Sequence, residues 1–259
     1  MAIRGASWRA AEFPSLCGLI KHPERGWMLY DTGYAEHFFE ATQPFPERLY
    51  RVATPVTLPG QECLLDQLAR RGIRAADISH LLISHFHGDH IAGLKDYPAC
   101  RFIALRSDWE QTRSAGRWRG VLNGFLPSLL PGDFASRLQF ADDRRSITLP
   151  SWLRPFEYGL DLFEDGSLIV VPLPGHSSAQ MGLLLRDQHD RVRLLVADAC
   201  WSAPACAEGR LPSRLASLLF ASQRDYLNTF VGLQRILQCE PSVGIVPSHC
   251  ASTWAAWGG

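Results

Sequence analysis

Short apolar runs alternate with amphipathic segments along this chain, and the runs end at polar or turn-forming residues. Runs of four to six apolar positions bounded by such residues are typical of buried β-strands. The predicted strands are Trp27–Tyr30, Ile78–Ile83, Leu168–Val171, Leu194–Ala197 and Val243–Val246. The second of these runs is interrupted by Ser79 and His80.

Two segments between the runs have helical spacing. Residues 60–71 place leucines one helical turn apart, and Gly72 suits the position that ends a helix. Ser222 and Asp225 have the spacing of a capping box at the start of a second helix. Its predicted buried stripe consists of Leu227, Phe230, Val231 and Leu237.

Polar side chains with metal-binding chemistry follow the predicted strands. They are Asp31, His85, His176, Asp198 and His249. Strand ends are rigid, and the loops after them can converge at one edge of a sheet. The repetition predicts one shared site at that edge.

The densest local signal is the segment Ser84-His85-Phe86-His87-Gly88-Asp89-His90. In extended chain, alternate residues face the same side, so His85 and His87 can bind one ion. Asp89 and His90 follow Gly88, where the chain can turn sharply towards a second ion.

His176, Asp198 and His249, which lie later in the chain, supply the remaining ligands for two ions. The expected sets are His85, His87 and His176 for one ion and Asp89, His90 and His249 for the other, with Asp198 bridging both. Imidazole and carboxylate together suit zinc, iron or manganese. We expect two divalent ions, with zinc preferred over iron and manganese.

Composition narrows the class of protein. The chain has 259 residues, with 26 Lys+Arg against 26 Asp+Glu, so its formal charge is zero. A dedicated nucleic-acid binder would be basic, and we expect no nucleic-acid or membrane partner. The start of the chain lacks the apolar stretch of a secretory signal, and the seven cysteines are widely spaced. We therefore expect a cytoplasmic protein with reduced thiols.

These motifs, in this order, resemble the metallo-β-lactamase superfamily of hydrolases across roughly residues 27–250. The resemblance implies an α/β (α+β) fold, a four-layer αββα sandwich with the metals at one edge. It also implies that Asp31 and Thr32 support the ligands without binding metal. We expect a single metallo-β-lactamase-fold domain over residues 1–259, with a substrate-covering insertion around 105–160.

The layout is most similar to the N-acyl-homoserine lactonase branch. That branch commonly has a tyrosine three residues after the bridging aspartate, where this chain has Trp201. An indole N–H donates a hydrogen bond but is no general acid near neutral pH. Tyr226 is one candidate substitute, and the identity of the general acid stays open.

We therefore expect hydrolysis of a lactone or other carboxylic ester by a metal-bridging hydroxide, with Asp89 and Asp198 as catalytic carboxylates. The substrate is expected to be small and apolar or aromatic; homodimerisation stays open. The expected pocket residues are Phe86, Trp118, Trp201 and Tyr226, and Arg117 and Arg119 are candidates for meeting an anionic group.

Three alternatives remain at this point. A thioesterase would use the same site on a small acyl or aryl thioester. A mononuclear iron dioxygenase of the same fold would need only His85, His176 and Asp198. A binding module that kept its metal would have no turnover.

Overall fold

The structure is a computed structural model that describes residues 13–213 and 216–257. The start of the chain, to which the expectation about a secretory signal applies, lies outside these residues. The chain divides into two compact units. The N-terminal unit is Cys17–Gln139, and the C-terminal unit is Phe140–Gly259 with the residues that precede Cys17.

The N-terminal unit contains a five-stranded sheet of order β1-β2-β3-β4-β5. Its strands are β1 (Gly18–His22), β2 (Gly26–Tyr30), β3 (Ile78–Leu82), β4 (Arg101–Ala104) and β5 (Leu138–Phe140). Its α-helices are α1 (Glu36–Ala41), α2 (Arg48–Ala53), α3 (Leu64–Arg70), α4 (Gly88–Ile91), α5 (Arg106–Arg113), α6 (Arg117–Leu122) and α7 (Phe134–Arg137). Single 3₁₀ turns occupy Ala75–Asp77, Leu94–Asp96 and Pro127–Leu129.

This sheet is mixed: β1 pairs antiparallel with β2, whereas β2, β3 and β4 are parallel. The carboxyl ends of β2 and β3 therefore meet at the same edge. The core of the unit is built around fully buried side chains such as Leu29, Phe38, Leu81 and Phe102.

The C-terminal unit contains a six-stranded sheet of order β11-β10-β9-β8-β7-β6. Its strands are β6 (Arg145–Thr148), β7 (Tyr158–Asp161), β8 (Leu168–Pro172), β9 (Met181–Arg186), β10 (Val192–Ala197) and β11 (Gly244–Pro247). Its α-helices are α8 (Ala203–Ala207), α9 (Gln223–Cys239) and α10 (Ala251–Trp257). Single 3₁₀ turns occupy Ala141–Asp143, Ser151–Leu153 and Ala216–Leu219.

Pairing in this sheet explains why three polar strand ends meet. β9 runs antiparallel to both β8 and β10, so β8 and β10 point the same way, and β11 is parallel to β10. The carboxyl ends of β8, β10 and β11 thus lie along one edge, which is where His176, Asp198 and His249 follow.

The five predicted strands are confirmed within two residues at their ends, and the expected α+β class with mixed sheets is confirmed. The predicted helix around residues 60–71 is α3, and Gly72 directly after its cap has a φ of +73°. Glycine has no Cβ and adopts that left-handed conformation without steric strain. Residues 105–160 form no unit of their own, because the boundary between the two units falls inside them.

The buried stripe predicted for α9 is wrong in part. Ser222 caps the helix by accepting a hydrogen bond from the Asp225 N–H, as expected. Leu227 and Val231, however, are 46% and 52% exposed. The face turned inwards carries Tyr226, Thr229, Phe230, Gly232, Leu233 and Ile236. The apolar residues cover more than one face of this helix, so periodicity alone did not select which face packs inwards.

Within the described residues, no helix combines the length and apolarity that crossing a membrane requires.

We predict that Leu233→Ala lowers the free energy of unfolding by about 2–5 kcal/mol, because it opens a cavity in the core of the C-terminal unit. Leu233 is fully buried, whereas Leu227 on the same helix is half exposed. Urea unfolding of Leu227→Ala is the matched control, with an expected cost of at most about 1 kcal/mol. Equal losses in the two variants would contradict the assigned buried face.

Candidate metal centre

In the N-terminal unit, Asp31 joins the ends of two parallel strands. It follows β2 directly and has a left-handed φ of 61°. Its backbone N–H donates to Leu82 O of β3 at 2.9 Å. Its Oδ1 accepts from the Ser84 N–H at 2.8 Å, and its Oδ2 accepts from His90 Nδ1 at 2.8 Å. One buried carboxylate therefore sets the position of both the loop after β3 and the His90 ring.

Three imidazoles of the motif lie together beyond β3. The ring centroid of His85 lies 4.4 Å from that of His87 and 4.1 Å from that of His90. His85 and His90 are fully buried. Ser84 Oγ hydrogen-bonds with His85 Nδ1 at 3.0 Å. The candidate ligand atom of His85 lies within 4.8 Å of those of both other histidines.

Two glycines shape the loop that carries His87. Gly124 has a φ of +71°, and a Cβ there would lie 3.0 Å from His87 Cδ2. The Gly88 N–H donates to Gly124 O at 2.9 Å. The His87 ring therefore packs directly on the backbone at residue 124, and a side chain there would require the ring to shift. After Gly88, α4 begins and places Asp89 Oδ2 3.6 Å from His90 Nε2.

Thr32 supports the same segment. Its Oγ1 donates to the backbone carbonyl of His90 at 3.0 Å and accepts from the Gly93 N–H at 2.9 Å. Thr32 therefore holds both ends of the turn from His90 to Gly93.

In the C-terminal unit, the His176 loop is held against the start of α9. Gly175 has a φ of +128°, and a Cβ there would overlap the backbone of Tyr226. The Ala221 N–H donates to His176 O at 3.1 Å, and Thr229 Oγ1 donates to Pro174 O at 2.7 Å. This close approach, which only glycine permits, fixes the loop that carries His176.

Asp198 lies between two histidines of this unit. It follows β10 after Ala197, whose φ is 43°. Its Oδ2 lies 3.3 Å from His176 Nε2, and its Oδ1 lies 3.2 Å from His249 Nε2. Two ligand atoms bound to the same tetrahedral zinc at about 2.0–2.2 Å lie roughly 3.4 Å apart. Each oxygen of Asp198 is therefore spaced to share an ion with a different histidine.

Hydrogen bonds define which imidazole nitrogens can bind a metal. His249 Nδ1 lies 2.8 Å from the carbonyl oxygen of Pro14, and His90 Nδ1 lies 2.8 Å from the Asp31 carboxylate. A carbonyl or an ionised carboxylate only accepts hydrogen bonds, so Nδ1 carries the hydrogen in both rings. In the neutral imidazole Nε2 then carries the lone pair that binds a metal ion. The donor set fits a divalent cation.

Two of the predicted pocket residues lie in the N-terminal unit. Phe86 is only 2% exposed and packs in the core against Trp109, Phe125 and Phe134. The alternation that directs His85 and His87 to one side directs Phe86 to the other. Trp118 is 56% exposed and contacts Phe45 edge-on.

Trp201 and Tyr226 lie in the C-terminal unit around Phe220. The Phe220 ring stacks on Tyr226 at 4.0 Å and contacts His176 at 5.5 Å and Trp201 at 6.4 Å between centroids. The pKa of the Tyr226 phenol is raised well above its ordinary value, mainly because the phenol is buried. Electrostatic repulsion from the nearby Cys200 and Asp198 raises it further. Among the described residues, neither Trp201 Nε1 nor Tyr226 Oη has a hydrogen-bond partner. Phe220 has no motif around it, so sequence reasoning missed it.

Arg117, expected to meet an anionic substrate group, has an internal partner. Its Nε and Nη2 donate to the two oxygens of Glu47 at 2.6 and 2.8 Å. These hydrogen bonds hold the pKa of Glu47 below its ordinary value. The guanidinium therefore binds α6 to the start of α2, a contact across 70 residues that no local pattern signals.

Residues 10–192 of the chain match the family model described as the metallo-beta-lactamase superfamily. The N-acyl homoserine lactonase AttM of Rhizobium radiobacter is 27% identical over 94% of this chain and 84% of its own length. The probable metallo-hydrolase Rv2300c of Mycobacterium tuberculosis is 26% identical over 66% of this chain and 52% of its own length.

Solved structures show the same fold. An N-acyl homoserine lactone hydrolase with N-hexanoyl-L-homoserine at its catalytic metal centre superposes with a TM-score of 0.63 at 17% identity, covering 94% of this chain and 84% of its own. The dizinc quorum-quenching lactonase AidC, also with a product bound, has a TM-score of 0.58 at 17% identity over 90% and 71%.

We predict that Asp31→Asn lowers zinc affinity about 10- to 100-fold, because an amide cannot accept from both the Ser84 N–H and His90 Nδ1. Asparagine tolerates the left-handed φ, so the backbone is kept. Asp190→Asn is the matched control, since Asp190 also has a left-handed φ, of 59°, and its side chain is 84% exposed. Chelator competition measures both; equal affinities would show that Asp31 does not position the ligand.

Proposed function

The chain belongs to the metallo-beta-lactamase superfamily, and from that premise we propose that it hydrolyses a lactone or another carboxylic ester with two divalent metal ions. The observation that carries the proposal is the arrangement at Asp198, whose two oxygens face His176 and His249 at 3.3 and 3.2 Å. A carboxylate flanked in this way is suited to bridging two ions.

The proposed ligand sets are those that the sequence motifs define. His85, His87 and His176 would hold one ion, Asp89, His90 and His249 would hold the other, and Asp198 would contribute to both. The buried imidazoles and the orientation of Nε2 in His90 and His249 support this assignment. Nitrogen and carboxylate donors favour zinc, with iron or manganese as alternatives.

Bound divalent ions lower the pKa of coordinated water towards neutrality and polarise a carbonyl oxygen. The protein's own contribution is orientation. Ser84 holds His85 by Nδ1, Asp31 holds His90, and the Pro14 carbonyl holds His249. Ligands fixed in this way lose little freedom when an ion binds, so the site is pre-organised.

Asp89 is the proposed proton carrier for the leaving group. Its side chain is 15% exposed, compared with 5% for Asp198, so its carboxylate exchanges protons with solvent more readily. Proton transfer by a positioned carboxylate contributes typically about 10²–10⁴-fold to the rate of such reactions.

The substrate class rests on the relatives and on the aromatic residues beside His176. AttM is named as an N-acyl homoserine lactonase, and the solved structures with homoserine products are lactonases. In this chain, Phe220, Tyr226 and Trp201 form an aromatic cluster in the C-terminal unit. We infer an acyl-bearing lactone or an aryl ester, whose apolar part packs on aromatic rings and whose carbonyl accepts from Trp201 Nε1.

The decisive experiment combines metal analysis with a substrate panel. We expect two equivalents of a transition metal in the purified protein, loss of activity on chelation and recovery on adding zinc or manganese. The panel contains N-acyl homoserine lactones, simple lactones, aryl esters and acyl thioesters, and proton release is followed in a pH-stat. We expect turnover of lactones and esters, and Asp198→Asn to reduce it more than about 100-fold, since even outer partners of ligands cost about 10- to 100-fold.

The Asp190→Asn variant is again the control and should keep full activity. Turnover of thioesters alone would favour a thioesterase, and one bound iron with oxygen uptake would favour a dioxygenase. A protein with less than one metal equivalent, active after chelation, would refute the proposal.

We predict that Trp201→Phe lowers kcat/KM for lactones and esters about 3- to 10-fold, because it removes the N–H that meets the carbonyl and keeps an aromatic ring. Trp254→Phe, which changes a tryptophan that is 46% exposed on α10, is the control and should have no effect. Unchanged kinetics in Trp201→Phe would show that the indole N–H does not contribute to substrate binding.

A further inference from the structure

Tyr50 lies beside the motif although it belongs to no motif itself. It is half-buried on α2, and its hydroxyl donates to Asp89 Oδ1 at 3.5 Å, the long limit for such a bond. The other oxygen of this carboxylate, Oδ2, lies 3.6 Å from His90 Nε2. The two oxygens of Asp89 are therefore distinguished: one faces a phenol and the other faces a candidate metal-binding nitrogen.

Gly88 makes room for this phenol. A Cβ at residue 88 would lie 3.0 Å from Tyr50 Cε1, 3.2 Å from Tyr50 Oη and 3.3 Å from Phe38 Cε2. Such distances are shorter than ordinary carbon contacts, so any larger residue would push the tyrosine away. The motif therefore has glycine at a position where a side chain would compete with Tyr50 for space.

Independent contacts hold Tyr50 in place. Its ring meets the fully buried Phe38 edge-on, at 5.4 Å between centroids and 87° between planes. The start of α2 is bound to α6 by the bidentate pair of Glu47 with Arg117, and Arg117 also donates to Phe45 O at 2.8 Å. The hydroxyl therefore projects from α2, whose start is bound to α6 and whose Tyr50 ring packs on the core.

The geometry points to Tyr50 as a positioning residue for Asp89: its hydroxyl holds Oδ1 and leaves Oδ2 for the second metal ion. This inference rests on the proposed function, which assigns Asp89 to that ion. The role matches that of Asp31 towards His90, Ser84 towards His85 and the Pro14 carbonyl towards His249. Partners that orient ligands in this way typically change metal affinity or activity by about 10- to 100-fold.

The test begins with Tyr50→Phe, which removes the hydroxyl and keeps the ring against Phe38. We expect one of the two metal equivalents to bind about 10- to 100-fold more weakly in chelator competition. In the cobalt-substituted protein, the absorption bands of one ion should shift. The value of kcat should fall about 10-fold or more, while KM changes less than about two-fold, because the substrate contacts are intact.

Tyr97→Phe is the matched control. Tyr97 lies in the same unit and is 1% exposed, and its hydroxyl has no hydrogen-bond partner among the described residues. This variant removes a phenol oxygen that is more deeply buried than that of Tyr50 and lies in the same unit. Both metal equivalents and kcat should be unchanged. Thermal unfolding of both variants separates a loss of folding from a loss of positioning.

Gly88→Ala tests the same contact from the other side. We expect it to weaken the same metal equivalent as Tyr50→Phe, and the effects of the two substitutions to be less than additive when combined. Full additivity would show that residue 88 acts independently of the tyrosine hydroxyl, which contradicts the inference.

Two negative results are distinguishable. If the wild-type protein binds two metal ions and hydrolyses the panel while Tyr50→Phe matches it in affinity, cobalt spectrum and kcat, only the role of Tyr50 is refuted. If the wild-type protein binds no metal and is active without it, both the proposed function and the role of Tyr50 are refuted.

Discussion

The arrangement in the N-terminal unit depends on one buried carboxylate. Asp31 has a left-handed backbone conformation at the end of β2 and binds the Ser84 N–H with one oxygen and His90 Nδ1 with the other. An isolated buried charge would be very costly, so this carboxylate is retained only because both oxygens are satisfied. In return, it fixes the loop after β3 and the tautomer of His90 together. A neutral replacement can accept only one of these bonds.

The same logic recurs at other ligands. The Pro14 carbonyl holds His249, Ser84 holds His85, and the backbone at Gly124 supports the His87 ring. A side chain that is held by one atom presents its other atom in a defined direction.

The local motifs were predictable because their geometry is local. Alternation along an extended strand directs His85 and His87 to one side, and the turn at Gly88 separates them from Asp89 and His90. Membership of the superfamily and the class of metal-dependent hydrolase, both expected from these motifs, are confirmed. The buried face of α9 was not predictable, because Leu227 and Val231 are as apolar as the residues that pack inwards. On the buried face, Gly232 lies directly against Pro155 and Phe156, a contact that the helical spacing does not signal.

The sequence by itself determined the strands, the candidate ligands and the family, since each is encoded by the spacing of residues within a few positions. Only the tertiary structure decided the partners that orient those ligands. Arg117 reaches Glu47 across 70 residues, Tyr50 reaches Asp89 across 39, and the Pro14 carbonyl reaches His249 across 235. No periodic pattern in the sequence indicates such contacts. They arise because strand pairing and core packing bring distant residues together. The same packing buries Phe86 in the core and places Phe220 beside His176.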